Sequence, residues 1–102
     1  MTLWEFLKTD DDPTVRSHVL GQARAAIDTM HKQGLFHADL NLHNLLVTQA
    51  RESFTVIIID LDKARLYDAP LPAAMRRANM ARLMRSARKL FPGAATLEML
   101  EP

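Results

Sequence analysis

Two short segments of the sequence carry side chains that could do chemistry. Residues 37–44 read HADLNLHN, here called the polar loop, and residues 57–65 read IIIDLDKAR. The first contains Asp39 and Asn44, and the second contains Asp60 directly after a run of isoleucines. Carboxylate and amide oxygens are hard ligands that suit Mg²⁺, which usually keeps water and substrate phosphates as its other ligands. A carboxylate that does not bind the metal could instead accept a proton from a hydroxyl nucleophile.

A pair of β-strands is predicted to bring these side chains together. Residues 45–48 (LLVT) and 54–60 (FTVIIID) have the apolar, β-branched composition of short strands, and the polar segment QARES lies between them. We therefore predict an antiparallel hairpin at about residues 45–60. Because the first strand begins where the second one ends, the polar loop and Asp60 should lie at the same edge of the hairpin.

Two helices are predicted to flank the hairpin. The first spans about residues 13–33, where Asp12 suits the N-cap, Pro13 the first helical position and Gly34 the left-handed residue past the end. Its apolar residues recur at spacings of three and four, namely Val15, Val19, Ala23, Ala26, Ile27 and Met30. The second helix spans about residues 73–91. The order helix, hairpin, helix indicates an α+β fold.

Composition limits the classes of protein that this chain can represent. Its 102 residues make at most one domain. It contains no cysteine, which excludes disulfides, thiolate catalysis and cysteine-based zinc sites. Residues 1–62 carry nine acidic and five basic side chains, whereas residues 63–102 carry eight basic and three acidic ones. A basic half in a nearly neutral chain indicates an anionic partner such as a phosphate, a lipid head group or a nucleic acid.

The second predicted helix holds most of this positive charge. It has six basic side chains and no acidic one, namely Arg76, Arg77, Arg82, Arg85, Arg88 and Lys89. Such a face could bind substrate phosphates or an anionic membrane surface, and the alternative is a solvated face whose opposite side completes the core. Nucleic acid is disfavoured as a partner, because the helix has no interleaved aromatic residues and no recognised motif.

The spacing of the polar residues resembles a known pattern. A His-x-Asp-x-x-x-x-Asn segment followed by a strand that ends in Asp is similar to the catalytic and metal loops of the protein-kinase-like fold. More narrowly, HADLNLHNLLV, IIDLDKAR and NMARLMRSARKL resemble the lipopolysaccharide kinase family, in particular its members that act on 3-deoxy-D-manno-octulosonic acid (Kdo). The resemblance runs from about Trp4 to Phe91.

This resemblance implies a fold and an incomplete domain. Residues 1–102 would form a single partial domain, the mostly helical C-terminal lobe of the protein-kinase-like fold with its small antiparallel hairpin. The N-terminal lobe would be absent, since the family's glycine-rich phosphate loop and phosphate-pairing lysine have no counterpart in the sequence. That missing lobe would precede Thr2. We therefore expect little activity from this chain by itself.

The resemblance also implies roles for the polar side chains. Asp39 would accept the proton of a sugar hydroxyl, and His37 would brace the loop that carries Asp39. Asn44 and Asp60 would hold Mg²⁺ against the β- and γ-phosphates of ATP. Asn41 would lie near the γ-phosphate, where many protein kinases have a lysine, so its uncharged amide would not supply that positive charge.

Some further residues could bind a metal ion or the substrate, but each of them could also have a purely structural role. Asp62 could reach a second metal ion or could cap a turn, and His43 could serve function or a solvated turn. Basic side chains at four positions could meet an anionic substrate or could simply be solvated: Lys63, Arg65, Arg82 and Arg85.

The implied function is ATP- and Mg²⁺-dependent phosphorylation of a Kdo hydroxyl in the inner core of lipopolysaccharide. The acceptor would be a Kdo-containing lipid A or inner-core glycolipid, and the protein would be cytoplasmic, with the basic helix able to contact the inner face of the inner membrane. Two alternatives stay open. The chain could belong to a kinase-like phosphotransferase for another small-molecule acceptor, or it could be a catalytically inactive binding module.

Overall fold

The structure, a computed structural model, describes residues 1–10 and 12–90. Three helices and four strands follow one another along the chain: α1 (Leu3–Thr9), α2 (Pro13–Lys32), β1 (Leu35–His37), β2 (Leu45–Ala50), β3 (Ser53–Ile58), β4 (Ala64–Leu66) and α3 (Ala73–Leu90). Short 3₁₀ turns, Leu42–Asn44 and Leu61–Lys63, precede β2 and β4. None of the helices in these described ranges combines the length and the apolar character needed to cross a membrane.

The strands form two small antiparallel sheets. β2 and β3 pair from Leu45 opposite Ile58 to Ala50 opposite Ser53, which confirms the predicted hairpin. β1 and β4 form a second pair, with Leu35 opposite Leu66. This second sheet could not be predicted from the sequence, because each strand is three residues long and its partner lies far along the chain.

Helix α2 begins and ends where the local signals place it. The Asp12 carboxylate accepts hydrogen bonds from the backbone nitrogens of Thr14 (2.9 Å) and Val15 (3.4 Å), and Pro13 is the first helical residue. Gly34 follows the helix with φ of 86°. A Cβ atom at Gly34 would lie 2.5 Å from the carbonyl oxygen of Tyr67, so only glycine allows this close backbone approach.

Helix α1 is a short helix that the sequence patterns did not predict. Thr2 and Glu5 form a capping box, in which the Thr2 hydroxyl accepts from the Glu5 backbone nitrogen and the Glu5 carboxylate accepts from the Thr2 backbone nitrogen, both at 3.1 Å. Hydrogen bonds from Thr2 hold the pKa of Glu5 below its usual value. The Thr-x-x-Glu signature was present in the sequence, but the apolar stripe of a seven-residue helix is too short to be recognised by periodicity.

One apolar core joins the helices to the β2–β3 hairpin. Leu3 of α1, Ile27 of α2, Leu45 of β2 and Leu83 of α3 are fully buried members of the same cluster. Helix α3 thus packs its apolar side inward, as expected for the helix predicted at about residues 73–91. The Phe91 end of that prediction lies outside the described residues.

Candidate active site

His37 fixes the start of the polar loop. It ends β1 and is fully buried. Its Nδ1 accepts a hydrogen bond from the backbone nitrogen of Asp39 (3.1 Å), so Nε2 carries the proton and donates to the carbonyl oxygen of Ile59 (3.1 Å). The imidazole therefore ties the loop that carries Asp39 to the residue that precedes Asp60.

A second contact holds the same two segments together. The backbone nitrogen of Ile59 donates to the carbonyl oxygen of Asn44 at 2.9 Å. This bond extends the β2–β3 pairing by one step beyond Ile58. It places the end of the polar loop beside the backbone that leads into Asp60, at the edge where the sequence predicts these residues to meet.

Asn79 anchors the polar loop from α3. Its side chain is fully buried, and its amide nitrogen donates to the carbonyl oxygen of His37 at 2.7 Å. Its amide oxygen accepts from the His37 backbone nitrogen (3.2 Å) and from Nε2 of His31 (3.0 Å). Asn79 was not among the site residues predicted from the sequence. The available signal was an asparagine on the apolar face of α3, four residues before Leu83 and eight before Ala87.

The Asp39 carboxylate is half exposed beside α3. One of its oxygens, Oδ1, lies 3.4 Å from Nη2 of Arg82 and 3.4 Å from the amide nitrogen of Asn41. The side chains of Asp39 and Arg82 are 43% and 49% exposed, so both can be reached from solvent. Arg82, which the sequence predicts as a candidate contact for an anionic substrate, is therefore a direct neighbour of the candidate base.

The two asparagines of the polar loop hold the backbone of Asp39. The carbonyl oxygen of Asp39 accepts hydrogen bonds from the amide nitrogens of Asn41 (3.0 Å) and Asn44 (2.7 Å). Asn41 also accepts from the backbone nitrogen of His43 at 2.8 Å, which caps the 3₁₀ turn. Because the Asn44 amide nitrogen binds the loop backbone, its amide oxygen is the atom left to serve a cation.

Asp60 and Asp62 are exposed around the turn that follows β3. Asp60 adopts a left-handed backbone conformation, with φ of 63° and ψ of 47°. Over residues 1–10 and 12–90, no three His, Cys, Asp or Glu side chains cluster as metal ligands. An amide oxygen from Asn44 and one or two carboxylates nevertheless fit Mg²⁺, which needs few protein ligands when water and phosphates complete its shell.

A cavity of about 420 Å³ lies between the polar loop and α3. It is lined by Asp39, Asn41 and His43 on one side and by Arg82, Arg85, Ser86, Lys89 and Leu90 on the other. Arg65 lies on β4, opposite Phe36, and is not among these lining residues. The Lys63 side chain lies outside the described part of the structure, so its predicted role stays a prediction.

Helix α1 supports the outer side of the polar loop. The Trp4 ring contacts the His43 ring at a centroid distance of 5.1 Å, and the Lys8 ammonium lies 3.8 Å from the centre of the Trp4 ring. These contacts give exposed His43 a structural role in addition to its place in the cavity lining.

Comparison with known proteins identifies relatives of this chain. The model of the family described as "Lipopolysaccharide kinase (Kdo/WaaP) family" matches residues 2–101. A 3-deoxy-D-manno-octulosonic acid kinase of Xylella fastidiosa strain 9a5c is 43% identical over 65 residues, which cover 63% of this chain and 24% of that kinase. The enzyme of the same name from strain M12 is 42% identical over the same length. The matched region thus spans about a quarter of the length of these curated relatives.

A solved structure shares the fold. The structure of "WaaP in complex with acyl carrier protein" superposes with a TM-score of 0.79 at 20% sequence identity. The superposition covers 98% of this chain and 44% of the WaaP chain. The mixture of helices and small antiparallel sheets therefore corresponds to part of a larger fold in that protein.

Proposed function

The chain belongs to the lipopolysaccharide kinase (Kdo/WaaP) family, and we propose that the polypeptide in which it functions transfers phosphate from ATP to a hydroxyl of Kdo in the lipopolysaccharide inner core. The observation that carries this proposal is the arrangement of Asp39 at a cavity, with Asn44 and the backbone before Asp60 tied to the same loop. This arrangement matches the chemistry of phosphoryl transfer, in which catalysis is mainly positioning and charge stabilisation.

Asp39 is the proposed general base. Its carboxylate is half exposed and lines the cavity, so a hydroxyl in that cavity can come within hydrogen-bonding distance of it. The Asp39 backbone is held on both sides, because its nitrogen donates to His37 and its carbonyl oxygen accepts from two asparagines. The carboxylate would orient the acceptor hydroxyl and take its proton as the oxygen attacks the γ-phosphate.

Asn44 and Asp60 are the proposed Mg²⁺ ligands, and Asp62 is a candidate for a second metal ion. When bound, ATP supplies the transferable phosphate and Mg²⁺ neutralises its charge. Asn44 offers an amide oxygen whose direction is set by its hydrogen bond to the Asp39 backbone. Asn41, whose amide group makes hydrogen bonds within the loop, would lie near the γ-phosphate without adding positive charge.

The proposal extends to the setting of the reaction. We expect ATP and a Kdo-containing glycolipid as substrates, a cytoplasmic location, and peripheral contact of the basic α3 with an anionic membrane surface. The glycine-rich loop and phosphate-pairing lysine of protein-kinase-like enzymes have no counterpart among these 102 residues. We therefore expect much slower transfer from this chain alone than from a complete kinase of this family.

Asp39→Asn tests the proposed function. In the natural polypeptide, this change should lower the transfer of radiolabelled phosphate from ATP to a Kdo-lipid acceptor by about two to four decades, because the amide cannot accept the hydroxyl proton. Binding of Mg²⁺-ATP should survive. Asp28→Asn is the matched control, since Asp28 is an exposed acid that lines a different cavity. Unchanged turnover by Asp39→Asn would show that another group is the base.

A further inference from the structure

The cavity beside Asp39 carries more positive charge than this carboxylate can balance. Arg82, Arg85 and Lys89 line it, and Asp39 is the single acidic side chain among its described lining residues. The three cations lie at positions i, i+3 and i+7 of α3 and therefore share one face of the helix. The sequence of α3 contains no acidic residue, so like charges on this face repel one another. An anionic ligand would relieve that repulsion.

We propose that these three cations bind an anionic group of the acceptor, and that Arg82 donates to this group and to Asp39 at the same time. The inference rests on the proposed function, because it takes Asp39 as the base and this cavity as the acceptor site. A guanidinium has five donors in a planar fork, so the 3.4 Å contact from Nη2 to Asp39 leaves further N–H groups for a carboxylate or phosphate.

Because Arg82 would contact both Asp39 and the acceptor, an acceptor needs an anionic group for its hydroxyl to be held beside Asp39. With Arg82 between Asp39 and the acceptor anion, the reacting hydroxyl and the anionic group must lie close together on the same molecule. From Arg82 to Lys89 the cationic face runs roughly 10 Å along the helix axis, so a second anionic group further from the hydroxyl could meet Lys89. The site should therefore select acidic sugars and discriminate against neutral ones.

The charge of Asp39 provides a test that separates binding from chemistry. Its carboxylate repels the acceptor anion and competes with it for Arg82. Asp39→Asn should consequently tighten the binding of an acidic sugar while it lowers phosphate transfer by about two to four decades. A merely structural role for Asp39 would weaken both.

A pair of ligands that differ in charge provides the direct measurement. Free Kdo and its neutral methyl ester would be titrated into the full chain at neutral pH, with binding followed by chemical-shift changes in NMR spectra. We expect the acid to bind at least about tenfold more tightly than the ester. Arg82→Gln and Arg85→Gln should each remove most of that preference.

Arg76→Gln is the matched control, because Arg76 lies on the same helix but lines the cavity between α2 and α3. Equal binding of acid and ester, no saturable binding of the acid, or an equal loss in Arg76→Gln would each overturn the anion site. Equal phosphorylation of acid and ester by the natural polypeptide would overturn the selection for acidic sugars and leave the proposed function standing. Acid binding that depends on Arg82, together with normal transfer by Asp39→Asn, would support the anion site and overturn the base assignment instead.

Discussion

Single residues at this site do two tasks at once. His37 uses one ring nitrogen to hold the Asp39 backbone and the other to hold Ile59. Asn44 uses its amide nitrogen on the Asp39 carbonyl oxygen, which sets the direction of the oxygen proposed as a metal ligand. The placement of the candidate base and the candidate metal ligands therefore depends on the same few hydrogen bonds.

Asp60→Asn is the residue-scale prediction for the metal site. Asparagine tolerates the left-handed conformation that Asp60 adopts, so the change should not strain the backbone at this position. It removes a negative charge, so we expect the affinity for ATP in the presence of Mg²⁺ to fall at least about tenfold. Titration calorimetry with and without Mg²⁺ measures this effect. An affinity equal to that of the unaltered protein would exclude Asp60 as a ligand.

At the scale of elements, Asn79 connects α3 to the polar loop. Asn79→Ala would leave the buried nitrogen and carbonyl groups of His37 and the His31 ring without their partner. We expect a loss of at least about 2 kcal/mol in the free energy of unfolding, measured by chemical denaturation, since each unsatisfied buried group costs about 1–3 kcal/mol. Arg77→Ala, at an exposed position of the same helix, should change it by less than about 0.5 kcal/mol. Equal losses would contradict the anchoring role.

The two glycines of the α2 region should respond in opposite directions to alanine. Gly34→Ala places a Cβ atom 2.5 Å from the Tyr67 carbonyl oxygen at a φ of 86°, so we expect a loss of at least about 1–2 kcal/mol in stability. Gly21 is exposed within α2, and a Cβ atom there would meet nothing within 4 Å. Gly21→Ala should therefore add about 0.5–1 kcal/mol to the free energy of unfolding and so raise the melting temperature. Thermal unfolding of both variants checks the pair.

At the scale of the whole molecule, one core supports both small sheets and the site. Ile27→Ala removes a fully buried side chain from this core, and we expect a cost of about 2–5 kcal/mol. The single tryptophan, Trp4, contacts His43 of the polar loop, so its fluorescence reports the unfolding of the region around that loop. In Ile27→Ala, the unfolding transitions followed by Trp4 fluorescence and by far-ultraviolet circular dichroism should coincide, and both should be shifted equally from those of the unaltered protein.

The control for this prediction is Ala25→Gln, at an exposed position two residues away, which should shift the transition by less than about 0.5 kcal/mol. Separate transitions for the two probes would mean that the polar loop and the helical core unfold independently.

Local patterns in the sequence were enough to predict the hairpin and helix α2, and with them the meeting of Asn44 and the backbone before Asp60 at one edge of the hairpin. Caps, turns and apolar periodicity act over a few neighbouring residues, so they can be read without knowing the fold. The family resemblance was also correct, because it depends on the same short segments. The chemical roles of those residues remain predictions until the variants above are measured.

The tertiary structure alone decided which distant residues meet. The pairing of β1 with β4, the anchoring of His37 by Asn79 and the contact of Arg82 with Asp39 join positions that lie far apart in the chain. The sequence does not show which distant residue a helical side chain will contact, because that depends on how the helix packs against the rest of the core. The basic face of α3 was visible in the sequence, but its position beside the candidate base follows from that packing.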